Sequence, residues 1–152
     1  MTKRRTIACA ALALFGVIAG CSSSSTGNST NVTGSWLAQF TTLTGTVAGH
    51  DVSCQSSQPT TLTLNQSGTT ITGTFSGGEL QCTANGVQEN VPIGSGDIVN
   101  GTLSGNTVTF HFASPATDFT GTVNGNSASG NVTIDDNTQQ INVTGTWSAT
   151  KS

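Results

Sequence analysis

From Val32 onward apolar residues alternate with Thr, Ser and Asn, and a glycine recurs midway between two apolar residues on one phase of that alternation. A period of two is that of a pleated strand with one buried face, and helical spacing is nowhere sustained, so the chain reads as all-β. The trios are Val32-Gly34-Trp36, Ile71-Gly73-Phe75, Val99-Gly101-Leu103, Phe119-Gly121-Val123, Ala128-Gly130-Val132 and Val143-Gly145-Trp147. Glycines repeated on the inward face let strands bend sharply, as closing a sheet into a barrel requires.

Turn chemistry then sets the register. If Leu103 and Val108 both face inward, Gly105-Asn106 is left as a two-residue hairpin loop, and Gly101 faces Phe110, whose ring can cover it. The same reasoning places Gly125-Asn126 between Val123 and Ala128, Ser67-Gly68 between Leu64 and Ile71, and Asn85-Gly86 at a further hairpin. A Gly-Thr-apolar-x-Gly repeat begins at Gly45, Gly73, Gly101 and Gly121, at intervals too uneven for a solenoid, and reads as repeated hairpin chemistry. Asn31-Val32-Thr33-Gly34-Ser35-Trp36 is echoed by Asn142-Val143-Thr144-Gly145-Thr146-Trp147, so first and last strands with matching faces can pair and close the sheet. The expectation is an antiparallel up-and-down meander closed into a small barrel of about 8–10 strands.

Composition decides which partners suit such a barrel. Lys3, Arg4 and Arg5 carry three of the four basic residues, leaving Lys151 against Asp51, Glu79, Glu89, Asp97, Asp118, Asp135 and Asp136. A domain so poor in cations cannot neutralise phosphates, which argues against nucleic acid as a partner.

The three basic residues precede an apolar run from Ile7 to Ala19, too short to span a bilayer, that ends in Ile18-Ala19-Gly20-Cys21. This tetrapeptide resembles the lipobox of bacterial lipoproteins: an aliphatic residue, two small residues and the cysteine that is acylated before cleavage. The resemblance implies a signal peptide over 1–20, a lipid-bearing Cys21 and attachment to a membrane of the cell envelope. Ser22 stands where an Asp would retain an enteric lipoprotein at the inner membrane, so the resemblance favours the outer membrane. Residues 21–30 comprise the lipidated Cys and a Ser/Thr-rich tether, whose root-mean-square reach is about 15 to 20 Å. The β-barrel domain occupies 31–152.

Gly34-Ser35-Trp36 resembles the G-x-W opening of lipocalins and other calycin-like barrels. In that family a basic residue of the last strand packs over the Trp, and Lys151, in phase with Trp147 and Ala149, is placed to make the same cation–π contact or to fray as a terminal charge. The likeness beyond the signal is one of architecture, over residues 31–151.

Cys54 and Cys82 remain after processing, and an even pair in an exported chain reads as a disulfide tying the long connection from Leu43 to Thr60 to the strand around Leu80. A metal pair is the rival, but it needs further ligands.

Catalytic groups are sparse. His50-Asp51 falls in an expected loop, and His111 lies on the outward phase between Phe110 and Phe112. Gly125-Asn126-Ser127-Ala128-Ser129 fails the nucleophile-elbow pattern at its last position. Asp135-Asp136-Asn137 offers calcium-type oxygens without EF-hand spacing and reads better as a solvated turn between Ile134 and Ile141. Glu79 and Glu89 flank the Asn85-Gly86 hairpin and read as solubilising charges. No enzyme, cofactor or metal is expected.

Trp36, Phe40, Phe75, Phe110, Phe112, Phe119 and Trp147 all fall on the inward phase. They either fill the barrel solidly or line a pocket for a small apolar ligand. Two roles follow: a tethered binding protein for an apolar ligand or a macromolecule, or a structural and interaction lipoprotein, an assembly accessory or inhibitor, with a solid core.

Overall fold

The structure is a computed structural model that describes residues 30–152. The expectations for the signal, the lipobox, Cys21 and the tether up to residue 29 lie outside the described residues.

Eleven strands follow in order: β1 (Gly34–Val47), β2 (His50–Gln58), β3 (Thr60–Ser67), β4 (Thr70–Ser76), β5 (Glu79–Ala84), β6 (Val87–Pro92), β7 (Ser95–Ser104), β8 (Thr107–Ala113), β9 (Ala116–Asn124), β10 (Ser127–Asp136) and β11 (Ile141–Lys151). All pairings are antiparallel. Eight strands in the order β1-β3-β4-β7-β8-β9-β10-β11 close on themselves through β11 and β1, with Phe40 opposite Trp147. The echo between the chain's two ends thus forms the seam. Apolar residues fill the interior while Thr, Ser and Asn cover the outer wall, the reverse of a transmembrane barrel.

The remaining three strands interrupt the meander. The long strand β1 pairs with β3 through its first half (Gly34 to Ala38) and with β2 through its second half (Leu43 to Val47). β5 and β6 form a hairpin inserted between the barrel neighbours β4 and β7, and β5 joins β2. The result is a three-stranded extension, β2-β5-β6, that continues the barrel wall beyond its β1 edge.

The segment from Leu43 to Thr60, expected as a connection, is therefore the end of β1 plus strand β2, and His50 opens that strand instead of lying in a loop. Cys54 and Cys82 are directly opposed and bonded, with their Cα atoms 4.0 Å apart. The disulfide staples the extension to itself.

Two register expectations are corrected. Leu64 faces Gly73, and the β3–β4 loop is Gly68-Thr69 instead of Ser67-Gly68. In β7 a bulge between Val99 and Thr102, with Asn100 at φ 52°, turns Ile98 inward and Val99 outward, leaves Asn100 and Gly101 opposite Phe110, and packs Gly101 against Ile71. The other hairpins follow the sequence reading: Leu103 faces Val108, Val123 faces Ala128 and Ala84 faces Val87. Each Gly-Thr-apolar-x-Gly repeat closes a strand, and its last glycine takes the positive φ of the turn at Gly49, Gly77, Gly105 and Gly125.

Candidate functional site

The barrel interior is where the inward aromatics would meet a ligand, and its packing decides whether one fits. All seven aromatics are buried. Phe110 and Phe119, paired across β8 and β9, stack at 4.5 Å, Phe75 stacks on Phe112 at 3.9 Å, and Trp147 meets Phe110 and Phe119 edge-on at 5.6 and 5.9 Å. Trp147 lies over two glycines that face each other, Gly121 and Gly130. A Cβ at Gly121 would fall 2.7 Å from the Trp147 ring, and one at Gly130 would fall 1.9 Å from the Thr120 carbonyl oxygen. The indole N–H donates to the carbonyls of Thr120 and Asn131 at 3.3 and 3.1 Å. The inward glycines are thus occupied by a ring and by neighbouring backbone, and they free no volume.

Between Val32, Trp36, Leu62, Phe110 and Trp147 the remaining void is about 10 Å³, less than one water molecule needs for comfort. As folded, Trp36, Phe40, Phe75, Phe110, Phe112, Phe119 and Trp147 form a packed core. Lining a pocket would require a ligand hundreds of Å³ smaller than drug-sized sites accept.

One end of the barrel is sealed by the chain's own entry. Val32 is buried there, its N–H donates to Gln66 Oε1 at 2.9 Å, and its carbonyl accepts the Trp36 indole N–H at 2.8 Å. Lys151, opposite Trp36 across the seam, holds its Nζ 5.7 Å from the Trp36 ring centroid and donates to the Asn31 carbonyl at 3.4 Å. This end also carries the Gly105-Asn106 turn, where the Thr30 hydroxyl donates to Asn106 Oδ1.

The other end carries the extension. β6 pairs with β5 alone, and all six of its residues are exposed. Val87, Glu89 and Val91 share one face, opposite Ala84, Cys82 and Leu80, while Gln88, Asn90 and Pro92 share the other. Glu79 is engaged by the Ser57 hydroxyl at 2.8 Å, which separates its role from that of Glu89 on the open strand. The sequence gives one signal for this edge, the Val-x-Glu-x-Val alternation ending in Pro, but the missing neighbour is visible only in the topology.

The scattered polar candidates do not converge. His111 pairs across the outer wall with Asp118 at 3.0 Å, and His50 meets Asn85 at 3.4 Å beside the turns of the extension. Asp136 accepts from the backbone N–H groups of Thr138 and Gln139, so the Asp135-Asp136-Asn137 run is a capped turn. Among the described residues no group of three His, Cys, Asp or Glu gathers in reach of one ion.

No protein-family model matches the chain, and no curated protein or solved structure matches it.

Proposed function

We propose that this chain is a membrane-tethered interaction lipoprotein of the bacterial envelope, a solid barrel that presents a surface to a macromolecular partner. The observation that carries this reading is the packed interior: the aromatic rings stack on one another, the void between Val32, Trp36, Leu62, Phe110 and Trp147 is about 10 Å³, and recognition falls to the outer surface. The lipobox-like Ile18-Ala19-Gly20-Cys21 supplies the attachment, and the short tether keeps the domain beside its membrane. The chain enters at the end sealed by Val32, and the extension branches from the half of β1 that is farther along the strand. A tether at one end and an unpaired strand toward the other suit a module that holds its contact surface away from the lipid.

Two measurements test the reading. Cys21→Ala is expected to abolish incorporation of labelled palmitate and signal cleavage, and unchanged labelling would remove the lipoprotein assignment. Trp36 and Trp147 both sit in the core, so intrinsic fluorescence is expected to stay unchanged across a panel of lipophilic compounds. A saturable blue shift with one of them would restore the ligand-carrier role.

A further inference from the structure

Three strands lie outside the closed barrel, and β6 is the outermost of them. Among the described residues each strand has neighbours on both sides except β6, so Val87–Pro92 is the one described strand with a whole edge unpaired. Such an edge is a template for another strand.

Its phase is fixed by the hairpin. Asn85-Gly86 is the two-residue loop between Ala84 and Val87, and a tight turn of this kind bonds the backbone of its flanking pair to each other. Alternation then turns the backbone groups of Val87, Glu89 and Val91 toward β5 and those of Gln88, Asn90 and Pro92 toward solvent. The close Cα approach of Cys54 and Cys82, at 4.0 Å, agrees, because it belongs to a pair without mutual backbone bonds, and so turns Cys82 toward Glu89. Pro92 stands at a position whose absent N–H costs no ladder bond, the place where proline is tolerated in an edge strand. The free edge offers the N–H groups of Gln88 and Asn90 and the carbonyls of Gln88, Asn90 and Pro92.

The side chains specify what can lie there. Val87 and Val91 are 69% and 40% exposed, two of the three large apolar residues exposed among those described, and they flank Glu89 on one face. A strand added to β6 places three side chains opposite these, and complementarity calls for apolar, basic, apolar. Residues 30–152 cannot supply that strand. β6 has no Lys or Arg, so no register of a second copy gives Glu89 a cation, and Lys151, the one Lys or Arg among residues 30–152, is held over Trp36 at the other end. Glu89 thus opposes self-pairing and selects a foreign partner with one and the same charge.

We infer that β6 is a docking edge for an extended segment of a basic protein, added antiparallel or parallel as a further strand, with apolar residues over Val87 and Val91 and a Lys or Arg over Glu89. This rests on the interaction-module reading and names its surface and partner chemistry. The recognition mode is strand addition: backbone bonds supply affinity and alternate side chains supply choice.

The test uses the mature lipidated protein in detergent with a short synthetic peptide alternating Val and Lys on one face with Thr on the other. Its counterpart carries Glu for Lys, and a third version is N-methylated on the bonding edge. The Lys peptide is expected to slow amide exchange at Gln88 and Asn90, with the Glu and N-methylated peptides weaker by roughly tenfold or more. Glu89→Lys is expected to reverse the preference between the Lys and Glu peptides, and Glu89→Gln to flatten it. Equal binding of all three peptides, or protection elsewhere than β6, would overturn the inference. So would a concentration-dependent dimer protected at Gln88 and Asn90, which would make a second copy the occupant. Failure here together with unchanged Trp fluorescence toward lipophiles would leave the interaction reading in place and move its surface; a fluorescence response would remove that reading itself.

Discussion

Along β9, Thr117, Phe119, Gly121 and Val123 are buried and the residues between them are exposed; along β6, which sets Val87, Glu89 and Val91 on one face, all six are exposed. The two strands obey the same period and differ in what lies above them. β9 has neighbours on both edges and an aromatic column over its inner face, with Phe119 touching Phe110, Phe112 and Trp147. β6 has one neighbour and no buried residue. Burial drives the closed body together, whereas the extension has only Cys54 fully in the core, with Val52, Leu80 and Cys82 partly buried against it, and relies on its continuity with β1 and on the Cys54–Cys82 bond. Stability should therefore be unevenly distributed, high across β8 to β10 and low in β5 and β6.

The body is where one added side chain should do most harm. A Cβ at Gly130 would lie 1.9 Å from the Thr120 carbonyl oxygen and 2.4 Å from the Gly121 Cα, and backbone on a paired strand cannot move aside as a flexible side chain can. Gly130→Val is expected to cost about 3 kcal/mol or more by overpacking, lowering the melting temperature by roughly 10 °C or more. A shift under about 2 °C would mean that β9 and β10 are not pressed together and that the body is no tighter than the extension.

The same contrast governs how much of the fold the sequence makes legible. The inward phase, the Gly105-Asn106 and Gly125-Asn126 hairpins, the pairing of the two Trp-bearing ends and the burial of all seven aromatics were legible because each depends on alternation and on a turn residue with its own conformational demand. The β3–β4 register was not. Pairing Leu64 with Ile71 or with Gly73 leaves the same residues facing inward, so alternation cannot choose between them. The bulge at Asn100 escaped for a related reason: Ile98 and Val99 are both apolar, and either suits the core. β2 escaped because His50-Asp51-Val52-Ser53-Cys54 and the Gln/Ser run after it carry few apolar residues, and, although the Ala48-Gly49 turn joins it directly to β1, its other partner β5 is remote in sequence. The free edge of β6 is a property of topology alone.

Removing the disulfide should sharpen the comparison at intermediate cost. Cys54 and Cys82 are 28 residues apart, a loop whose closure contributes about 3.5 kcal/mol on the chain-entropy model. In Cys54→Ala/Cys82→Ala the loss is expected to appear locally, with faster amide exchange through β2, β5 and β6 and little change in β8 to β10. Equal acceleration everywhere would show the extension and the body to be one cooperative unit.

The smallest effect is expected where the alternation has no burial to serve. Val123, 2% exposed, packs inside the body, and Val123→Ser should cost about 2 to 3 kcal/mol through lost burial and a stranded hydroxyl. Val87→Ser makes the same chemical change on β6 at 69% exposure and should stay within about 0.5 kcal/mol in a denaturant titration. Near-neutrality there carries weight, because an edge strand is most safely made polar, and folding gives Val87 and Val91 no reason to be otherwise. Their reason then lies in what the edge meets. A cost at Val87 comparable to that at Val123 would reverse the argument: the Val87-Glu89-Val91 row would belong to the protein's own packing, and no exposed apolar surface on β6 would remain for a partner to read.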